Sequence, residues 1–205
     1  MLALPEGGEP VPAIVCCHDA RGLDDFARSS VARLAEAGFG VLAADLHQRG
    51  DGPGETLPDR QVLGDLDGVV RYLKAQPGVR ADRIAVVGFG AGATHAFLFA
   101  CHSRDLDAAV MFHGPVTYPR LSAARPMQPL ELALNLSCPL LAFYGDQDEE
   151  LPAEQRDQME RVLSQFARDF DIVAYPGEGR EFYRANAASD AWQRASSFLE
   201  EHLDV

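Results

Sequence analysis

The feature that most constrains this chain is a regular alternation of short apolar runs with longer segments of helical periodicity. Apolar runs at Ala13–Cys17 and Phe39–Ala44 flank a helical pattern over Asp25–Ala37 that Gly38 stops. A second helical pattern, Asp59–Ala75, leads to an apolar run at Ile84–Val87, a helix over Ala91–Cys101 and another run at Ala108–Phe112. After a long connection, Gly114–Ser137, the alternation resumes with Leu140–Tyr144, a helix over Ala153–Phe166, Asp171–Tyr175 and a last helix over Ser189–His202. Strands separated by helices run parallel, and right-handed crossovers cover both faces of the sheet. The predicted fold class is α/β, a doubly wound, mostly parallel sheet with helices on both faces.

With 205 residues, 47% of them hydrophobic, the chain can bury one sizeable core, and a single domain over 1–205 is expected. The net charge of −13 repels polyanions and anionic lipid, which argues against nucleic acid and membrane surfaces as partners. No apolar run approaches membrane-spanning length and the N-terminus carries no basic leader pattern, so a cytoplasmic protein, monomeric or weakly dimeric, is expected. Cys16, Cys17, Cys101 and Cys138 lie in or beside apolar runs or end a helix, as reduced thiols do, and no Cys-x-x-Cys pair occurs.

In a doubly wound sheet, ligands gather at the carboxyl ends of the strands. The sharpest turn there is Gly88-Phe89-Gly90-Ala91-Gly92, between an apolar strand and a helix. Gly88-x-Gly90-x-x-Ala93 fits a dinucleotide fingerprint weakly: the turn follows the third strand, not the first, and no ribose-binding acid closes the next one. A phosphate-binding P-loop lacks its Gly-Lys-Ser/Thr. The other reading is a nucleophile elbow, whose outer glycines let strand, turn and helix pack closely, with an acid after a later strand and a base after the last. Gly88 and Gly92 suit the outer positions, while Asp148 and the Gly179-Arg180 loop stand where acid and base belong.

These segments, together with Phe112-His113-Gly114, Tyr144-Gly145-Asp146-Gln147-Asp148, Leu151-Pro152 and Tyr175-Pro176-Gly177-Glu178-Gly179-Arg180-Glu181-Phe182, resemble the dienelactone hydrolase family of the α/β-hydrolase fold over nearly the whole chain. The resemblance implies cysteine or serine at the position of Gly90, aspartate at Asp148 and histidine at Arg180, so only Asp148 keeps its type. It further implies an oxyanion hole formed by the backbone N–H groups of Ala20 and Ala91, a substrate carboxylate held by Arg49 and Arg184, and a carboxylate near the nucleophile at Asp19. It implies no cofactor. The family's extra N-terminal β segment is expected to be shortened or absent.

Glycine offers no attacking atom, and arginine stays protonated, so neither can serve as nucleophile or base. Loss of both from a working triad costs about a million-fold in rate. Cys17 and Thr94 lie near the turn and, like Cys16 and Ser103, read as packing residues, since a thiol within an apolar strand is inert. Arg180 beside Asp148 is consistent with an ion pair replacing a His–Asp contact, and Arg49 and Arg184 taken alone read as solvated surface residues. Guanidinium forks nevertheless match carboxylates, so Arg49, Arg180 and Arg184 together suggest a cationic pocket for a small anionic molecule. His18, His47 and His113 follow strands without a metal-ligand spacing, and no metal is expected. His95 and His102 share one helix face without implied chemistry.

Three readings follow. One is a degenerate hydrolase that binds a small carboxylate. Another is a lyase or isomerase using Asp19, Asp148 or Glu178 as acid or base. The third is a hydrolase with a substitute nucleophile.

Overall fold

The computed structural model describes residues 1–5, 8–47, 57–148, 151–184 and 189–205. Its seven strands are β1 Leu2–Ala3, β2 Val11–Cys17, β3 Gly40–Ala43, β4 Val79–Phe89, β5 Ala108–Phe112, β6 Leu140–Gly145 and β7 Phe170–Tyr175. They form one sheet in the order β1-β3-β2-β4-β5-β6-β7. β2 to β7 pair in parallel, as the alternation requires, and β1 pairs antiparallel with β3. An N-terminal β segment is thus present, two residues long. The helices are α1 Asp25–Glu36, α2 Asp59–Lys74, α3 Ala91–His102, α4 Ala153–Gln165 and α5 Ser189–Leu203.

Side chains alternate across each strand and divide the core in two. Ala13, Val15, Cys17, Ile84 and Val86 pack with α2, α3 and α4, whereas Ile14, Cys16, Ala85 and Val87 pack with α1 and α5. α1 shows how sequence sets such a helix. Asp24 caps it by accepting the N–H of Ala27 at 2.9 Å. Its inward stripe is Ala27, Ser30, Val31 and Leu34, at the spacing of one helix face, and the chain leaves through Gly38 at φ +98°. Ser30 is the polar member of that stripe. α3 is buried continuously from Gly92 to Cys101, the central helix of its layer.

Two differences from the sequence reading have physical causes. β4 begins at Val79 rather than Ile84, because Arg80 and Arg83 interrupt the apolar pattern while bonding to Leu203 and Asp204 at the end of α5. The long connection contains a 3₁₀ segment, Pro129–Asn135, opened by Glu131, whose carboxylate accepts from the Gln128 N–H at 3.0 Å, while the Gln128 amide bonds the backbone of Tyr118. Among the described residues no helix is long and apolar enough to cross a membrane.

Candidate active site

The turn at the carboxyl end of central strand β4 has the backbone of a nucleophile elbow. Gly90 sits at φ +54°, ψ −120°, and α3 starts at Ala91. A Cβ on Gly88 would lie 2.2 Å from the Gly92 carbonyl oxygen, and one on Gly92 would lie 2.2 Å from that of Cys17. Both positions therefore require glycine, because strand, turn and helix meet backbone to backbone. At Gly90 the neighbour is a side chain: a Cβ would come 2.9 Å from the Tyr183 hydroxyl and 3.1 Å from Asp19 Cβ. The space a nucleophile's side chain would enter is taken up by a phenol hydroxyl arriving from the 3₁₀ turn Phe182–Arg184.

Gly90→Ala is accordingly expected to cost about 2 kcal/mol, from the positive φ and the close contact together. Tyr183→Phe should recover part of that loss, because Cζ lies 4.0 Å from the same Cβ. Urea unfolding of the single and double variants checks this; an equal loss in both backgrounds would rule out the Tyr183 contact.

Asp148 lies after β6, where the elbow reading puts the acid, and its carboxylate meets His113. His113 Nε2 is 2.6 Å from Asp148 Oδ2, and the Gly145 N–H donates to His113 Nδ1 at 3.2 Å. Since Nδ1 accepts, Nε2 carries the proton and donates it to Asp148. Burial pushes the His113 pKa below its ordinary value, with Arg180 and Arg156 acting in the same sense and Asp148 opposing. The ring is therefore a neutral, closed link. A triad histidine needs one nitrogen on the acid and the other facing the nucleophile, whereas both of these are engaged. The position of His113 directly after a strand is legible in the sequence; its bond to Asp148 is not.

Gly90, His113, Asp148 and Arg180 line one cleft of about 640 Å³, which the long connection walls with Thr117 and Tyr118 and α4 with Gln155. Those last three were not singled out in the sequence. Gly90 donates its own N–H to Phe112 O at 2.9 Å. Ala91, as the first residue of α3, has one of the N–H groups a helix leaves without an internal acceptor, and Ala20 lies exposed after β2.

Arg184 lies elsewhere than the pocket reading expected. Its Nη2 is bonded to Asp19 and its Nη1 donates to Asp24 Oδ2 at 3.0 Å, while the guanidinium stacks 4.6 Å above the Phe26 ring. Two carboxylates already meet this fork, and it does not line the cleft above Gly90. Asp19, mostly buried beneath the elbow, also accepts from the Arg21 N–H at 2.8 Å and lies 3.4 Å from the Tyr183 hydroxyl. Arg49 falls outside the described residues.

The remaining candidates have settled positions. Cys17 is fully buried and burial pushes its thiol far above the ordinary range; the Cys16 thiol is pushed up to about 12 for the same reason. Thr94 Oγ1 donates to Pro115 O at 2.7 Å, and Ser103 Oγ accepts from the Asp105 N–H. His18 Nε2 accepts from the Leu46 N–H at 3.1 Å, so Nδ1 carries the proton toward Asp19 O. Among the described residues no three His, Cys, Asp or Glu side chains form a cluster suited to a metal ion.

A mostly parallel sheet with an elbow after its central strand, an aspartate after β6 and helices on both faces defines an α/β-hydrolase scaffold. The profile of the dienelactone hydrolase family matches residues 1–203, and the chain belongs to that family. A Bradyrhizobium relative named "Probable 2-oxo-3-(5-oxofuran-2-ylidene)propanoate lactonase" is 30% identical over 220 residues, covering 98% of this chain and 88% of its own. An Escherichia coli K12 relative named "Putative carboxymethylenebutenolidase" is 30% identical over 213 residues, covering 94% and 78%. Among solved structures, a Klebsiella pneumoniae protein titled "Putative Dienelactone Hydrolase" superposes with a TM-score of 0.92 at 28% identity, covering 98% of this chain and 91% of the other.

Proposed function

We propose that this protein is a hydrolase-fold binding protein that has given up acyl transfer and holds a small carboxylate in the cleft above Gly90. The observation that carries this reading is the pairing of an elbow without a side chain with an Asp148 partner, His113, whose ring nitrogens are both engaged. Ester hydrolysis by this route needs an attacking atom and a base facing it; neither role has a candidate among the described residues at the elbow. Arg180 on the cleft wall supplies a cation that cannot be deprotonated, and the family resemblance assigns neutral donors for an anionic oxygen to the N–H groups of Ala20 and Ala91. The name of the Bradyrhizobium relative specifies a lactone bearing a propanoate, which favours a carboxylate as the group recognised.

The test has two parts. Activated esters and dienelactone should turn over far below the roughly 1 s⁻¹ that marks an ordinary enzyme. Small carboxylates, screened by thermal shift, should stabilise the wild type, and Arg180→Gln should weaken the best of them about tenfold, as expected for one charge-assisted contact. Wild-type turnover at an ordinary enzymatic rate would refute the loss of acyl transfer. Failure of every carboxylate to stabilise the protein would refute the pocket.

A further inference from the structure

A second cavity lies on the layer formed by α2 and α3, bounded on its third side by the long connection, with a volume of about 510 Å³. Its surface is mostly apolar. Leu98 of α3, 2% exposed, is its floor; Leu63 of α2 and Leu132 of the 3₁₀ segment line it, and Met127 lies exposed at its mouth. A space of this size well exceeds the roughly 150 Å³ that takes up one benzene ring, so it has room for two fused rings.

The sequence of α2 keeps that space open. Gly64 lies in the helix interior, where glycine is the poorest residue short of proline, and a Cβ placed on it would meet nothing within 4 Å. Among the described residues no contact requires glycine there. What the missing side chain leaves is room in the cavity that Gly64 lines.

Polar groups are few, and one is incompletely bonded. Arg60 is exposed, and Asp67 and His102, on facing helices, are bonded to each other at 3.1 Å. Asp59, the first residue of α2 and 8% exposed, accepts the Tyr118 hydroxyl on Oδ1 at 2.7 Å. Its Oδ2 makes no hydrogen bond among the described residues and keeps accessible surface. Burial raises the Asp59 pKa, with the Tyr118 bond and Arg125 opposing. Arg125, stacked 4.6 Å from the centre of the Tyr118 ring, already supplies a positive charge nearby. The carboxylate thus lacks a donor rather than a cation, and a neutral hydroxyl meets it at less desolvation cost than an ammonium.

We propose that this cavity binds an uncharged, mostly apolar molecule bearing one hydroxyl, a phenol or an alicyclic alcohol, whose O–H donates to Asp59 Oδ2. The cavity shares no described lining residue with the cleft above Gly90. The two meet at Tyr118, which lines that cleft while Asp59 holds its hydroxyl.

β-Naphthol, its methyl ether, its fully reduced alicyclic counterpart and β-naphthylmethylamine are each titrated into the full chain by calorimetry, with thermal shift as a second readout. Saturable binding of the alcohols is the expected result, with the ether, which brings no donor, about tenfold weaker and the ammonium weaker still. Tighter binding of the aromatic alcohol would identify the source as a phenol, and the reverse order would identify an alicyclic alcohol. Gly64→Leu gains helix propensity and fills the cavity, so it should raise the apparent Kd at least about tenfold in a protein no less stable to urea. Asp59→Asn can still accept from Tyr118 while turning an amide donor toward the cavity, and should abolish the preference for the hydroxyl over the ether. Arg180→Gln should leave binding unchanged. Absence of saturable binding by either alcohol, binding unaltered in folded Gly64→Leu, a preference that persists in Asp59→Asn, or an ether or amine as tight as the alcohol in the wild type would overturn the proposal. Loss on Arg180→Gln with retention on Gly64→Leu would place the alcohol in the cleft above Gly90 and overturn it equally.

Discussion

The combined variant Gly90→Cys, Arg180→His, Tyr183→Phe is expected to hydrolyse activated esters about a thousandfold faster than the wild type, with a burst from the acyl-enzyme. Removal of nucleophile and base from a working triad costs about a million-fold, so a thousandfold return is a partial recovery of that loss. The scaffold for it is in place: the elbow keeps its conformation at Gly90, Ala91 opens α3, and Asp148 remains after β6. Two obstacles limit the gain. The Tyr183 hydroxyl lies 2.9 Å from where the new Cβ must go, and the new imidazole must share the Asp148 carboxylate with His113, which holds Oδ2 at 2.6 Å. For the first reason, Gly90→Cys, Arg180→His with Tyr183 intact should be at least about tenfold slower than the triple variant, a gap of roughly 1.4 kcal/mol in the barrier. Stopped-flow measurement of p-nitrophenyl ester cleavage separates burst from turnover. Equal rates in the two variants would show that Tyr183 does not obstruct the nucleophile position.

That experiment depends on features legible in the sequence to different degrees. The parallel sheet could be read because it rests on local periodicity, and each run from Ala13–Cys17 onward carries its own signal. The outer glycines could be read because Gly88 and Gly92 meet backbone only a few residues away or on the neighbouring strand. The occupant of the elbow could not. Tyr183 is 93 positions beyond Gly90, in a segment whose family resemblance drew attention to Arg180 and Arg184 instead. The turning of Arg184 toward Asp19 and Asp24 likewise joins residues 165 and 160 apart in the chain, and nothing local distinguishes a guanidinium bound by two carboxylates from one waiting for a ligand. His113 lies between these cases. Its place after β5 was visible, but its bond to Asp148 depends on β5 and β6 being neighbours and on the Gly145 N–H fixing the tautomer. His113, at the end of the strand beside β6, supplies Asp148 with a neutral imidazole partner.

Acid should destabilise the protein through His95, a residue the sequence reading set aside. His95 lies in the first half of α3, buried, and among the described residues its Nδ1 has no hydrogen-bond partner. Burial pushes its pKa down to about 3 from an ordinary 6.5, and Arg125, His18 and His47 act in the same sense. In the unfolded chain the imidazole takes a proton near pH 6.5, and in the folded chain it resists protonation until about pH 3. Below pH 6.5 the unfolded state therefore binds more protons, and stability falls as pH falls. Each pH unit in that window costs about 1.4 kcal/mol, so about 2 kcal/mol is lost by pH 5. His113 contributes with the same sign, since its pKa is also lowered, while Asp59, held above the ordinary carboxylate value by burial, acts in the opposite sense at the acid end. His95→Gln removes the titrating group while keeping a polar side chain. The variant should be less stable near neutrality, because a buried position has been altered, yet its stability should fall about 2 kcal/mol less between pH 7 and pH 5 than that of the wild type. Urea unfolding at the two pH values measures that difference directly. Parallel losses in the two proteins would mean that His95 is protonated as readily in the fold as outside it, and the acid sensitivity of the core would then have to arise at His113.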